Sequence, residues 1–268
     1  LQTIRPKIIP NATSWRGAML GTFYNDIYNM RESGNQYGFS RADETHMMKN
    51  MEWGAVTYLA HSKYGRCTGG TCEEVTINNC DSFITGIGAD TVSASQSSTT
   101  CTTAANKYNG AKGMLASTTG NIYGIYDMSG GAHEYMMGDM IYNGAMMSGL
   151  QTTKNYHSGF TGYLYSGGQT TLTYDFPNKR YYDKYSYGIS QTEYTRGKLG
   201  DATKEMRPSS TYGWYSDCAI FPYSEDSWFL RGYYYGRGSE AGLFSFAWSH
   251  GYAYSFNSAR AVVFGALD

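Results

Sequence analysis

The sequence has few charged residues: Asp, Glu, Lys and Arg make up only 16% of its 268 positions. Positive and negative charges nearly cancel, and the formal net charge is -1 at pH 7. A protein that binds the phosphate backbone of a nucleic acid normally carries an excess of basic residues on one surface. We therefore expect no nucleic-acid partner for this chain.

Long apolar runs are also absent from the sequence. A membrane-spanning helix needs about eighteen or more consecutive apolar residues, and no segment approaches that length. The sequence opens at Leu1 without the charged and then apolar pattern of a secretory leader. We expect no direct membrane insertion of this segment, and we expect any leader or anchor to lie outside it.

Glycine and tyrosine are abundant, with 33 and 27 residues. This composition predicts a loop-rich fold whose polarity comes from small polar and Tyr side chains. Apolar residues at helical spacing predict a helix from Asp43 to Ala60, and the apolar run Ala261–Phe264 predicts a buried strand. No internal repeat is evident. We predict one α+β domain over residues 1–268, with few short helices and short antiparallel strands.

Four of the five cysteines lie close together, at Cys67, Cys72, Cys80 and Cys101. Their segment, about residues 66–106, is rich in Gly, Thr and Ser and is predicted to be a loop insertion held by one or two disulfides, whose pairing stays open. A zinc site would need paired C-x-x-C spacing or nearby His, and neither is present. Cys218 is left over and is interpreted as a buried structural thiol.

Three segments carry a resemblance to a known family. Thr45–Ala60 reads THMMKNMEWGAVTYLA, Gly124–Tyr135 reads GIYDMSGGAHEY, and Trp228–Val263 contains WFLRGYYYG followed by SARAVV. In order and spacing they resemble the T-x-x-E-W-x-x-A helix, the G-L-Y-D-M segment and the R-G-G-S-W and G-F-R motifs of the formylglycine-generating-enzyme (sulfatase-modifying factor) family. The resemblance implies a C-type-lectin-like fold of the formylglycine-generating-enzyme type.

The sequence departs from that family where the chemistry occurs. His133 stands where the pattern has Trp, Gly131 where it has Asn, and Ala259 where it has Phe; we interpret His133 as a packed substitute for the aromatic ring. The enzymes use a pair of cysteines near the C-terminus, and this sequence has none after Cys218. Without a thiolate pair the motif holds neither copper nor a substrate thiol. We expect the fold without the activity, and no cofactor.

The same segments are similar to a group of bacterial and phage-associated proteins that includes the variable proteins of diversity-generating retroelements. In those proteins, adenine-directed mutagenesis rewrites codons of a C-terminal variable region, which here corresponds to about residues 231–260. Tyr and Trp interleaved with Ser and Gly suit recognition, because the rings give large contact areas and the small residues adapt. The predicted ligand-binding residues are Tyr233, Tyr234, Gly236, Arg237, Glu240, Ser245, Ala247, Trp248, Ser249, His250, Tyr252, Tyr254, Ser255 and Asn257.

The sequence thus predicts a non-catalytic ligand-binding protein, a receptor or adhesin with a hypervariable Tyr-rich surface. Its expected partner is a protein or glycan on a cell or phage surface, and its expected location is a bacterial cell surface, a pilus or a phage particle. The alternative is a fixed cell-surface or pilin-like adhesive or structural protein with a lectin-like head. Calcium binding near Asp217, Glu225 and Asp226 stays open, with no metal site assigned.

Overall fold

A computed structural model describes residues 9–91, 101, 104–142, 145–146, 158–160, 177–223 and 225–265. The described α-helices are α1 (Leu20–Tyr28) and α2 (Asn50–Ala60). The described strands are β1 (Glu44–Met47), β2 (Cys67–Thr68), β3 (Thr71–Cys72), β4 (His133–Tyr142), β5 (Ala145–Met146), β6 (Asp183–Ser186), β7 (Trp228–Arg231), β8 (Phe246–Ser249), β9 (Asn257–Ala259) and β10 (Ala261–Phe264). Short 3₁₀ turns lie at Asn29–Arg31, Ala104–Asn106, Gly113–Ala116, Lys179–Tyr181, Tyr194–Arg196, Trp214–Ser216 and Tyr235–Glu240. Few helices, short strands and long loops make this an α+β protein, as predicted.

Strand β4 is the centre of the largest sheet. It pairs antiparallel with β5 and β7, and β7 pairs antiparallel with β8. The short strands β9 and β6 both run parallel to β4, along its first and second halves. The expectation of antiparallel strands was therefore wrong for these two pairs, because each is reached through a long connection rather than a hairpin.

Both faces of this sheet are buried, so the sheet separates two hydrophobic cores. Tyr135, Leu230 and Ala247 lie opposite one another on adjacent strands and share one core. Met136 and Phe229 are paired on the other face and belong to the second core. Because neighbouring residues along a strand point to opposite faces, the whole segment Trp228–Arg231 is buried.

The segment predicted as one helix, residues 43–60, forms a strand followed by a shorter helix. Residues Glu44–Met47 form β1, and α2 begins only at Asn50. Glu52 fixes this start, because its Oε2 accepts the Lys49 backbone N–H at 2.8 Å and so completes a capping interaction. Helical spacing across residues 43–60 was misleading, because Met47 faces the core from a strand.

The first and last described strands pair with each other. β1 runs antiparallel to β10, with Glu44 opposite Phe264 and Met47 opposite Ala261. The predicted strand Ala261–Phe264 is confirmed, but it is only half-buried, and Phe264 is exposed. Its burial was overestimated because this two-stranded ribbon lies outside the central sheet.

Two arginines connect the three segments that carry the family resemblance. Arg260 donates from Nε to Glu134 Oε2 at 2.8 Å and from Nη2 to the Tyr126 carbonyl at 2.9 Å. The fully buried Arg231 donates from Nε to Asn50 Oδ1 at 2.9 Å. A buried guanidinium requires several acceptors, so these contacts fix the relative positions of the segments.

The cysteine-rich segment contains two disulfides, Cys67–Cys72 and Cys80–Cys101. Cys218 is free and buried, and burial raises the pKa of its thiol to about 11, which agrees with a structural role. Residues 75–80 and 86–89 of this segment are buried. The predicted insertion at 66–106 is therefore partly core; its residues 92–100, 102 and 103 lie outside the described residues.

Candidate ligand-binding surface

Seven rings form one continuous series of contacts, which we call the aromatic row. In order they are His250, Tyr252, Tyr254, Phe256, Tyr234, Tyr235 and Phe83, with contacting ring centroids 5.1 to 6.2 Å apart. Tyr252 and Tyr254 are the most exposed, at 45% and 37%, and the other rings are half-buried. Half-buried aromatic rings combine a fixed position with accessible apolar area, which suits a binding surface.

Two glycines place the segments of the row beside each other. Gly232 and Gly251, which follow β7 and β8, have φ values of 75° and 84°, a conformation that favours glycine. A Cβ on Gly251 would lie 2.6 Å from the Ser158 backbone. After Gly232, Tyr233 also adopts a left-handed φ of 54°, which turns its ring into the interior and leaves Tyr234 at the surface.

A buried polar network supports the row from below. The Tyr135 hydroxyl donates to the Tyr252 carbonyl at 2.7 Å and accepts from Asn257 Nδ2 at 2.7 Å. It also lies 3.1 Å from Ser249 Oγ. These bonds tie β4 to the loop that carries Tyr252 and to the start of β9, so they hold the exposed rings on a fixed backbone.

His133 lies in the interior against three rings. Its ring centroid is 4.9 Å from that of Tyr233, 5.2 Å from Tyr234 and 5.7 Å from Phe256. Burial, with a smaller contribution from Arg237, lowers the pKa of His133 to about 3, so the imidazole is neutral at pH 7. This placement agrees with the interpretation of His133 as a packed aromatic substitute.

His250, at one end of the row, is held by a buried carboxylate. Its Nδ1 lies 2.7 Å from Asp226 Oδ1, and its Nε2 lies 3.4 Å from the Tyr254 hydroxyl. Asp226 is buried, so water does not compete for this hydrogen bond. The pair fixes the orientation of the imidazole and keeps it beside two exposed tyrosines.

Two arginines lie along the row. Arg237 stacks on Tyr233 and Tyr234, and its Nη1 is 3.5 Å from Glu240 Oε2. At the opposite end from His250, Arg16 covers the Phe83 ring at 3.9 Å and donates from Nη1 to the Ser255 carbonyl. The surface therefore combines aromatic area with guanidinium groups, a pairing common in recognition hot spots.

The predicted binding residues divide into two groups. Those at least partly accessible are Tyr234, Gly236, Arg237, Glu240, Trp248, His250, Tyr252, Tyr254 and Ser255. The second group is buried and cannot contact a macromolecule in this conformation: it consists of Tyr233, Ser245, Ala247, Ser249 and Asn257. These five were wrongly assigned to the surface, because aromatic and small polar composition does not distinguish the two sides of a strand or turn.

Trp248 is separate from the row. Its ring packs edge-on against Tyr223 at 5.4 Å, and its backbone lies opposite Phe229 in the sheet. The Tyr233–Tyr235 run and the 250–254 segment adjoin, and Phe256 joins them rather than Trp248.

The predicted binding residues leave out Tyr235, Phe83 and Arg16, which all belong to this surface. The Tyr run at 233–235 is a sequence signal for Tyr235. Phe83 and Arg16 carry no sequence signal, because they reach the row only through the fold, from segments more than a hundred residues away.

Among the described residues, one group of metal-ligand side chains lies close enough together to hold a metal ion: Cys80, Asp81 and Cys101. Its two cysteines are joined in a disulfide. Asp217, Glu225 and Asp226 do not form such a group in the described part of the chain. The carboxylate of Asp217 accepts the Phe244 backbone N–H at 2.9 Å instead. None of the described helices is long and apolar enough to cross a membrane.

The chain matches no protein-family model, and no curated protein is significantly similar to it.

Proposed function

We propose that this chain is a non-catalytic ligand-binding protein, a receptor or adhesin, that recognises a protein or glycan through the aromatic row. The observation that carries the proposal is the continuity of the row from His250 to Phe83, with Tyr252 and Tyr254 exposed. Burying such rings against a partner supplies apolar contact area at low cost in side-chain entropy. Partners on a cell or phage surface are the class we propose.

The proposed fold is a C-type-lectin-like domain of the formylglycine-generating-enzyme type. Support comes from the three motif segments, which pack together in the centre of the molecule. Trp53 in the first segment donates from Nε1 to the Leu243 carbonyl in the third at 2.8 Å, and β4 pairs with both β7 and β9. A scaffold whose motifs form its centre can keep its backbone while its surface side chains change.

We further propose that the surface is diversified by a retroelement and displayed on a bacterial cell, a pilus or a phage particle. The support is the motif resemblance, together with the position of Tyr234, Arg237, Tyr252, Tyr254 and Ser255 outside the central sheet, on loops and a 3₁₀ turn. Side chains on loops tolerate substitution better than side chains in a sheet core.

Sequencing many natural copies of the gene tests this proposal. We expect substitutions at the accessible positions of residues 231–260 that match changes at adenines, and a reverse-transcriptase gene nearby. We expect none at Ser249 and Asn257, because both hydrogen-bond Tyr135 in the interior. Variation spread equally over buried and accessible positions would contradict the assignment of the row as the diversified surface.

The alternative is a fixed adhesive or pilin-like surface protein. It is favoured by the burial of five residues that were expected to vary, since each is constrained by packing or hydrogen bonds. An invariant 231–260 segment without a neighbouring reverse transcriptase would support this alternative and would still leave the aromatic row as its contact surface.

A further inference from the structure

A second concave site lies between α2 and the loop before β8. It is a shallow cleft with an empty volume of about 220 Å³ including its open mouth. Its described lining includes His61, Glu74, Tyr215, Asp217 and Phe244. The lining includes no residue of the aromatic row, so this site is independent of the proposed function.

Hydrogen-bond acceptors dominate the polar lining of the cleft. His61 Nδ1 is 3.0 Å from the Thr57 carbonyl, which can only accept, so Nδ1 carries the proton. Burial lowers the pKa of His61, so the imidazole is neutral and Nε2 is a bare acceptor. That nitrogen is buried and has no hydrogen-bond partner within the described part of the chain.

Two carboxylates line the same cleft. Glu74 is half-buried, and no described residue forms a hydrogen bond or ion pair with its carboxyl group. Burial raises the pKa of Glu74, and burial together with the charge of Glu74 raises the pKa of Asp217 well above its ordinary value. A cation bound beside them would favour the ionised form of both groups.

No described basic side chain neutralises this pair. The charge of Arg66 contributes to the lowered pKa of His61, but the Arg66 guanidinium pairs with Glu73, at 3.3 Å, rather than with Glu74. Asp217 is bound by backbone groups instead: its Oδ2 accepts the Phe244 N–H at 2.9 Å. The cleft thus presents hydrogen-bond acceptors to a guest, and no described basic side chain pairs with its carboxyl groups.

Aromatic rings form the walls. The His61 centroid lies 4.9 Å from that of Phe244 and 5.2 Å from that of Tyr215. Tyr215 and its neighbour Ser216 both have a left-handed φ, of 58° and 70°, and the adjacent Trp214 is exposed. Rings beside carboxylates are the surroundings in which proteins bind organic cations.

We propose that this cleft binds the primary ammonium head of a small amine. A primary ammonium has three N–H donors and no acceptor, which complements an acceptor-rich cleft. Its head is about the size of a water molecule, and the floor of the cleft has room for about one. A quaternary ammonium carries the same charge but is larger and has no N–H to donate.

Isothermal titration calorimetry of the intact chain with n-butylammonium chloride at pH 7 tests the proposal. We expect a dissociation constant on the order of 1 mM and binding of tetramethylammonium at least about fivefold weaker. Glu74→Gln should weaken butylammonium binding about tenfold, because it removes a charge-assisted hydrogen bond. Glu32→Gln is the matched control, since Glu32 pairs with Arg41 outside the cleft, and it should leave binding unchanged.

His61→Phe provides a second variant that retains the ring but removes the acceptor nitrogen. It should also weaken butylammonium binding, and thermal unfolding will verify that each variant is folded. Equal affinities for the two ammonium ions, an unchanged affinity in both cleft variants, or no measurable butylammonium binding would each overturn the proposal. None of these results bears on the aromatic row, so the two proposals fail separately.

Discussion

Tyr135→Phe removes a single hydroxyl from the interior beneath the aromatic row. That hydroxyl donates to the Tyr252 carbonyl, accepts from Asn257 Nδ2 and contacts Ser249 Oγ. A typical hydrogen bond contributes about 1 kcal/mol net, and a buried group left without its partner costs about 1–3 kcal/mol. Because Tyr135, Ser249 and Asn257 are all buried, water cannot easily replace the lost bonds. We expect the free energy of unfolding to fall by about 2–4 kcal/mol.

Urea denaturation followed by far-ultraviolet circular dichroism measures this loss. The matched control is Tyr123→Phe, the same chemical change at a side chain that is 88% exposed, which should alter stability by less than about 0.5 kcal/mol. If Tyr135→Phe is as stable as the control, the hydroxyl network does not hold the row, and Tyr135 stabilises the fold only through its ring.

His133→Phe should reduce the loss of stability in acid. The pKa of His133 is about 3 in the folded protein and near 6.5 when unfolded, so the unfolded state binds a proton first and stability falls as the pH drops from about 6.5 towards 3. Between pH 7 and pH 4.5 the free energy of unfolding, measured by urea denaturation, should fall by about 2–3 kcal/mol more in the natural protein than in the variant. Equal losses would refute the lowered pKa of His133. Gly242→Ala should lower the free energy of unfolding by about 2–3 kcal/mol, because a Cβ at this position would lie 2.1 Å from both Asp217 carboxylate oxygens. An unchanged melting temperature would contradict this packing. Removing the Cys80–Cys101 disulfide should destabilise the chain by about 1 kcal/mol more than removing Cys67–Cys72, because it closes the longer loop, with a separation of 21 residues against 5. The opposite order of stability in urea would refute this dependence on loop length.

The sequence by itself determined the class of fold and the general composition of the surface. Abundant Gly and Tyr with few charges predicted a loop-rich α+β protein, and the apolar run Ala261–Phe264 predicted a strand that the structure contains. The cysteine spacing predicted disulfides near residues 67–101, although it left the pairing open. These features depend on residue type and local periodicity, which can be seen in a sequence alone.

Local patterns were misleading where the same spacing of apolar residues is compatible with a helix and with a strand followed by a helix. Met47, which has helical spacing with later apolar residues, lies in β1 because it pairs opposite Ala261, more than two hundred residues away. The helix starts instead at Asn50, where Glu52 caps the backbone. Pairing with a distant strand is a tertiary contact, so no local pattern could have indicated it.

Only the tertiary structure decided which Tyr, Ser and Asn side chains face outward. Tyr233 and Tyr234 are identical neighbours, yet the left-handed backbone at Tyr233 turns that ring inward and leaves its neighbour accessible. Ser249 and Asn257 resemble contact residues by type but bond the buried Tyr135. The fold also brings Arg16 and Phe83 to the end of the row. A binding surface is a set of residues on one side of a fold, and that side is defined by long-range packing.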